Sequence, residues 1–188
     1  MTTEAGIIPQ RFSRGFTYEA YLDQLGETRK TFAEHQAAFQ LNAADAQFFK
    51  DKVRNFGSIK VAAIVEDWCP DVHRGLPVMA AIAAAGGIEM RVFPRDKNLD
   101  IMNLYLNQGK YLSIPVFAFL DQNGNPLCHW IERPKAASRF MEKLAAELSQ
   151  ENLGEEEIRQ ERRKRSQTMA KEWRQETVNE LKELLSNI

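Results

Sequence analysis

The chain has 188 residues, of which 44% are hydrophobic and 27% are charged, enough for one globular core and too little for two large domains. Its formal net charge of −1 provides no overall field that would attract nucleic acid or acidic lipid. No apolar run reaches the ~18 residues of a membrane span, and the two cysteines are too few for a disulfide-stapled secreted domain. We therefore expect a cytoplasmic protein that binds neither nucleic acid nor a membrane.

Residues 1–57 are predicted to form an arm and helices that pack on a core domain. Residues 1–15 lack periodicity, which predicts an extended or loosely docked arm. Apolar residues recur near helical spacing over residues 17–40, with an interruption at Gly26, and this pattern predicts one long helix or two short ones. A further helix is predicted over residues 42–54, which begin with an asparagine, a favourable N-cap residue.

Residues 58–150 are predicted to form the core domain, in the order β-α-β-α-β-β-α. A short, almost wholly apolar run at residues 59–65 predicts a central strand that is covered on both faces. A helix over residues 71–85 and a strand over residues 88–93 follow. The two strands are then joined by a helical crossover, so we expect them to be parallel.

The second half of the core domain is predicted to contain a hairpin between two helices. A short helix is expected over residues 99–106. Strands are expected at residues 115–120 and 126–131, because the turn between them contains Asn123-Gly124, a favoured hairpin sequence. A helix over residues 134–149 closes the domain.

Residues 151–188 differ in composition from the core. Acidic residues at 155–157 precede basic residues at 162–165, an order that matches the helix macrodipole and allows i to i+4 pairs. We expect a long, largely exposed helix with one apolar stripe. The stripe is predicted to pack against the core domain or against a second copy of the chain, which would form a homodimer, and it comprises Met169, Trp173, Leu181 and Leu185.

A five-residue motif at residues 68–72, Trp-Cys-Pro-Asp-Val, lies where the first strand ends and the next helix begins. That helix contains Pro77, eight residues after the cysteine, and the third strand opens with Ile114-Pro115. Together these marks resemble the thioredoxin superfamily over residues 59–149, and the surrounding pattern is similar to bacterial thioredoxin-like proteins with an N-terminal helical extension.

The resemblance implies an α/β fold with a thioredoxin-like mixed sheet, in which N-terminal helices cover one sheet edge and a charged helix extends the C-terminus. It also implies that Cys69 is the nucleophile and that the Pro115 peptide bond is cis beside its sulfur. The residues expected to line or tune this site are Trp68, Pro70, Asp71, Val72, His73, Ile114 and Pro115.

The motif departs from the family at Val72, where thioredoxins carry a second cysteine. The usual dithiol cycle cannot run within such a motif, so a mixed disulfide on Cys69 would need an external thiol to resolve it. Cys128 lies in the middle of its predicted strand, roughly 10 Å from the end nearest the site, and a disulfide needs Cα atoms within about 7 Å. We expect Cys128 to be a core residue.

Opposing charges surround Cys69 in the sequence. The helix N-terminus favours the thiolate, and His73 and Arg74 add positive charge in the first turn. Three carboxylates disfavour the thiolate, and they belong to Glu66, Asp67 and Asp71. The sequence therefore leaves the direction of the Cys69 pKa shift open.

Two functional hypotheses follow from this motif. The first is monothiol thiol-disulfide exchange or glutathione-linked chemistry through Cys69, with protein thiols, protein disulfides or glutathione as partners and no bound cofactor. The second is a redox-inert adaptor that uses the same groove to hold a protein partner. No zinc site is predicted, because neither a Cys-x-x-Cys pair nor a histidine pair completes a four-ligand set.

Overall fold

The computed structural model describes residues 6–188, so the first five residues of the predicted arm lie outside the described range. Its strands are β1 Lys60–Val65, β2 Glu89–Pro94, β3 Val116–Leu120 and β4 Pro126–Ile131. Its α-helices are α1 Pro9–Phe12, α2 Tyr18–Leu22, α3 Thr28–Ala37, α4 Ala43–Phe56, α5 Pro70–Gly86, α6 Leu99–Met102, α7 Lys135–Leu148, α8 Glu155–Thr168 and α9 Ala170–Ser186.

The four strands form one mixed sheet in the order β2-β1-β3-β4. β1 and β2 are parallel, as the predicted helical crossover requires, and β3 and β4 form the predicted antiparallel hairpin. From Val61 onward every residue of β1 is buried, and so is every residue of β3, because helices cover both faces of the sheet. The sheet and its flanking helices confirm the expected α/β fold.

The register of the central strands places the functional residues at one edge of the sheet. β1 runs antiparallel to β3, with Ile64 opposite Val116. The end of β1 and the start of β3 therefore lie side by side. The loop that leads to α5 leaves from this edge, and Ile114-Pro115 enters it.

The N-terminal segment is docked more firmly than expected. Ile7 and Phe12 are buried in the core, and the Ile7 amide donates to the Gly124 carbonyl oxygen at 3.0 Å. Phe16 exchanges two backbone hydrogen bonds with Val92 of β2, at 2.9 and 2.8 Å, and so covers the sheet edge. The segment shows no sequence periodicity because it contains only one helical turn and one bridging residue between α1 and α2.

The interruption at Gly26 separates two short helices, α2 and α3, which was one of the two predicted alternatives. Asn42 is the N-cap of α4, and its side-chain oxygen accepts a hydrogen bond from the Asp45 amide at 2.8 Å. Both α3 and α4 pack against α5, so the N-terminal helices support the element that carries the cysteine.

The C-terminal tail forms two helices, not the single exposed helix that was expected. α8 is mostly exposed, in keeping with its charged sequence, but α9 packs against α4, α5 and β4. Glu180 of α9 also accepts a hydrogen bond from Trp130 Nε1 at 2.8 Å. The apolar stripe thus packs on its own domain, and its periodicity could not reveal which surface would cover it. The buried residues of α9 include Trp173, Thr177, Val178, Leu181 and Leu185.

Gly15 lies where the chain passes close to β2. A Cβ atom there would lie 2.6 Å from Phe93 Cζ and 2.7 Å from Arg91 Cβ. We expect Gly15→Ala to lower the free energy of unfolding by about 1–3 kcal/mol, because overpacking forces side chains and backbone to shift. Urea unfolding measures the change. Gly26→Ala is the matched control, since a Cβ at Gly26 meets no atom within 4 Å, and equal losses in both variants would contradict this account.

Candidate functional site

Cys69 is the N-cap residue of α5 and lies just past the end of β1. Its carbonyl oxygen accepts a hydrogen bond from the His73 amide at 3.1 Å, which starts the helix. Pro70 occupies the first helical position, where its missing N–H costs nothing. The cysteine is 8% exposed, and its Sγ donates a long hydrogen bond, 3.7 Å, to the Ile114 carbonyl oxygen.

The Ile114–Pro115 peptide bond is cis, as the resemblance implies. The Pro115 carbonyl oxygen accepts a hydrogen bond from the Glu132 amide at 2.7 Å, which ties the loop to the end of β4. Gly75 of α5 leaves little room on the other side, because a Cβ there would lie 3.3 Å from Pro115 Cγ. The loop is therefore held on both sides, next to the sulfur.

Trp68 is exposed at the protein surface, whereas Val72 is buried beneath it. Trp68 is 56% exposed, and the Arg95 guanidinium lies 5.1 Å from the centre of its ring. The same guanidinium donates to the Leu112 carbonyl oxygen at 3.2 Å, so Arg95 links the tryptophan to the chain that leads into Ile114. Val72, in the position of the missing second cysteine, is fully buried. That position is part of the core.

His73 faces the N-terminal helices. Its Nε2 lies within hydrogen-bond distance of the Asp67 carbonyl oxygen, and its ring meets Phe32 edge to face, with the centroids 5.1 Å apart. The predicted carboxylates also have partners elsewhere, since Glu66 accepts from the Asp96 amide and Asp67 accepts from the Thr28 hydroxyl. Asp71, by contrast, is close enough for its negative charge to act on the Cys69 thiol.

Asp71 is buried between two arginines. One carboxylate oxygen pairs with Arg74, and the other lies 2.8 Å from a terminal nitrogen of Arg133. Arg133 also pairs with Glu132. Sequence reasoning missed Arg133, because it is distant from Cys69 in the chain. The hairpin register was the signal that could have found it, since the residues just after β4 must lie beside those just before β3.

The pKa of the Cys69 thiol is raised above its ordinary value, mainly because burial disfavours the charged thiolate. The negative charge of Asp71 acts in the same direction. Hydrogen bonding from the Val72 and Asp71 amides at the helix N-terminus and the positive charge of Arg133 lower this pKa, but they do not overcome the burial. At this site the helix end is thus a smaller influence than desolvation.

Cys128 is too far along the hairpin to act on Cys69. It pairs with Phe119, five residues beyond Ile114, which corresponds to roughly 16 Å along an extended strand. Both cysteines are free thiols. Burial raises the pKa of Cys128 to about 12, so this thiol is protonated at neutral pH.

Residues 6–188 provide neither a metal-ligand cluster nor a membrane-spanning helix. This part of the chain contains no group of three or more histidine, cysteine, aspartate or glutamate side chains that could hold a metal ion. A helix with the length and apolar character needed to cross a membrane is also absent from these residues.

The mixed sheet, with a cysteine at a helix N-terminus facing a cis-proline loop, defines a thioredoxin-fold protein with a single cysteine in the motif. A family model described as thioredoxin (Thioredoxin_9) matches residues 15–148, and the chain belongs to this family. No curated protein matches the chain.

Two solved structures share the fold at low sequence identity. One is a protein of unknown function from Pseudomonas aeruginosa, with 16% identity, a TM-score of 0.67, and coverage of 94% of this chain and 95% of that one. The other is an HIV epitope-scaffold protein, with 16% identity, a TM-score of 0.63, and coverage of 94% and 96%. At this identity the likeness concerns the fold alone.

Replacing Arg133 tests its influence on the thiol. We expect Arg133→Gln to raise the pKa of Cys69 further and to slow its alkylation at neutral pH by about two- to tenfold, because a cation that favours the thiolate is lost. The rate is measured with iodoacetamide in a Cys128→Ser background. Arg163→Gln is the control, since it removes the same charge from the exposed surface of α8. Equal rates in the two variants would argue against a role for Arg133.

Proposed function

We propose that the protein carries out monothiol thiol-disulfide exchange through Cys69, with a protein disulfide or glutathione disulfide as the substrate. The observation that supports this best is the position of Sγ at the N-terminus of α5, 3.7 Å from the Ile114 carbonyl oxygen and beside the cis peptide. Within residues 6–188 the Ile114 N–H has no hydrogen-bond partner, so it is a donor for an extended peptide that lies along the sulfur.

The exchange proceeds in two balanced steps. The Cys69 thiolate attacks one sulfur of the substrate disulfide, an S–S bond to Cys69 forms, and the departing sulfur leaves with the electron pair of the broken S–S bond. An external thiolate then attacks the mixed disulfide and releases Cys69 as a thiolate. Glutathione or a protein thiol is the reductant in this second step.

The second step requires an external thiol because residue 72 is a valine and not a cysteine. A valine has no group that can attack the mixed disulfide, and the other cysteine of the chain lies roughly 16 Å along the hairpin from the site. The product of the first step therefore persists until another thiol reaches it. This makes the mixed disulfide the species to look for.

A second candidate function is a redox-inert adaptor that binds an extended peptide in the same groove. The raised pKa of Cys69 favours this candidate, because only a small fraction of the thiol is ionised at neutral pH. In this case Trp68, Ile114 and Pro115 would hold the partner without a covalent step. The two candidates differ in whether the sulfur reacts.

The pH dependence of adduct formation separates the two candidates. Because the thiolate forms as the pH rises and the pKa is raised, we expect glutathione disulfide to modify Cys69 slowly at neutral pH. The rate should then grow about tenfold per pH unit beyond the ~8.5 of an ordinary cysteine. Intact-mass spectrometry of the Cys128→Ser protein measures the adduct, and Cys69→Ser in that background is the blank. An adduct that forms in urea but at no pH in the folded protein would establish the adaptor instead.

Restoring the second cysteine tests the need for an external thiol. We expect Val72→Cys to release the bound glutathione from Cys69 without added thiol and to form an internal disulfide, because residue 72 lies in the first turn beside the sulfur. Mass spectrometry follows the loss of the adduct in the Cys128→Ser background. Val72→Ala is the control, since it alters packing without adding a thiol. Release from the control at the same rate would show that resolution does not depend on a second sulfur.

A further inference from the structure

A small cleft lies next to the motif, between α5, the connection from β4 to α7, and α9. It is narrow, with about 10 Å³ in which the centre of a water-sized molecule can lie, and it shares Asp71 and Gly75 with the surroundings of Cys69. The charged residues that line it are three arginines and two carboxylates, namely Arg74, Arg133, Arg174, Asp71 and Glu132. The proposed exchange reaction uses none of these arginines to bind a ligand.

Arg174 of α9 is the most deeply buried of the three arginines, with 7% of its surface exposed. Within residues 6–188 it forms no ion pair with a carboxylate. One terminal nitrogen lies 3.2 Å from His35 Nδ1, and its Nε has no hydrogen-bond partner. The buried Nε of Arg133 also lacks a partner. Two of the three arginines that line the cleft therefore each have an unsatisfied buried N–H group, although buried donors are normally paired.

The charges in the cleft do not balance. Asp71 pairs with both Arg74 and Arg133, and Glu132 pairs with Arg133. The two carboxylates thus form ion pairs with two of the three arginines, and Arg174 is not one of them. His35 supplies no charge, because burial and the positive charge of Arg174 lower its pKa to about 4 and leave it neutral at pH 7. Among the residues that line the cleft one positive charge is left over, and a buried charge without a counterion is costly.

We propose that this cleft binds a small oxyanion, such as a carboxylate or sulfate group, which accepts hydrogen bonds from Arg174 and Arg133 and balances the third positive charge. A guanidinium presents a planar fork of N–H donors that matches such an oxyanion. The cleft is open to solvent at its rim, where the Arg74 and Arg133 side chains remain 17% and 25% exposed. The proposal is independent of the chemistry of Cys69.

Isothermal titration calorimetry at constant ionic strength tests the proposal, with sulfate and acetate as separate probes in the Cys69→Ser protein. We expect saturable binding of at least one anion, weakened about tenfold or more by Arg174→Gln. Tighter binding of acetate would identify a carboxylate as the source of the oxyanion, and tighter binding of sulfate an inorganic ion. Arg163→Gln, on the exposed face of α8, is the matched control and should bind as the parent protein does.

Two results would overturn the proposal. One is the absence of saturable heat with either anion, and the other is equal binding by Arg174→Gln and Arg163→Gln. Circular dichroism verifies that each variant is folded. If Arg174→Gln does not fold, Arg74→Gln replaces it, because Asp71 keeps its ion pair with Arg133 in that variant, and unchanged binding there would reject the site. Because Cys69 is absent throughout, these outcomes are separate from those of the exchange reaction.

Discussion

The antiparallel pairing of β1 with β3 is the constraint on which the site depends. With Ile64 opposite Val116, the cysteine that follows one strand and the cis-proline that precedes the other meet at the same edge. Successive side chains of a strand point to opposite faces of the sheet. A register shift of one residue would therefore turn every side chain of that strand to the other face. The helices on both faces bury these strands and fix the register. The N-terminal helices contribute by packing on α5, the helix that carries Cys69.

Two properties of this arrangement act against each other at the sulfur. The helix N-terminus supplies amide N–H groups that favour a thiolate, whereas the packing that holds α5 in place removes the sulfur from water and favours the thiol. Burial prevails here, and Asp71 adds to it. The same carboxylate holds Arg133, which favours the thiolate, so one side chain takes part in both effects. Reactivity at Cys69 is a balance among groups that also stabilise the fold.

The sequence predicted the core well where the signal is local. The buried strand at residues 59–65, the Asn123-Gly124 hairpin and the Asn42 N-cap each follow from short-range backbone or solvation preferences, and each occurs in the structure. The sequence was less informative about contacts between segments that are far apart in the chain. Nothing near Arg133 in the sequence indicates that it lies beside Asp71, and the apolar stripe of α9 carries no information about the surface that covers it. The sequence left the pKa of Cys69 open for the same reason, since desolvation depends on the whole fold.

The family match and the hydrophobic core end at different residues, because α9 belongs to the core. The family match ends at residue 148, yet Val178, Leu181 and Leu185 of α9 are fully buried in the same hydrophobic core as the sheet. Burying a side chain of this size stabilises a fold by roughly 1.5–3 kcal/mol, and the net stability of a domain is only about 5–15 kcal/mol. The hydrophobic core therefore extends beyond residue 148, where the family match ends, into α9. A relative that kept the family segment without this helix would need another element to cover the same core.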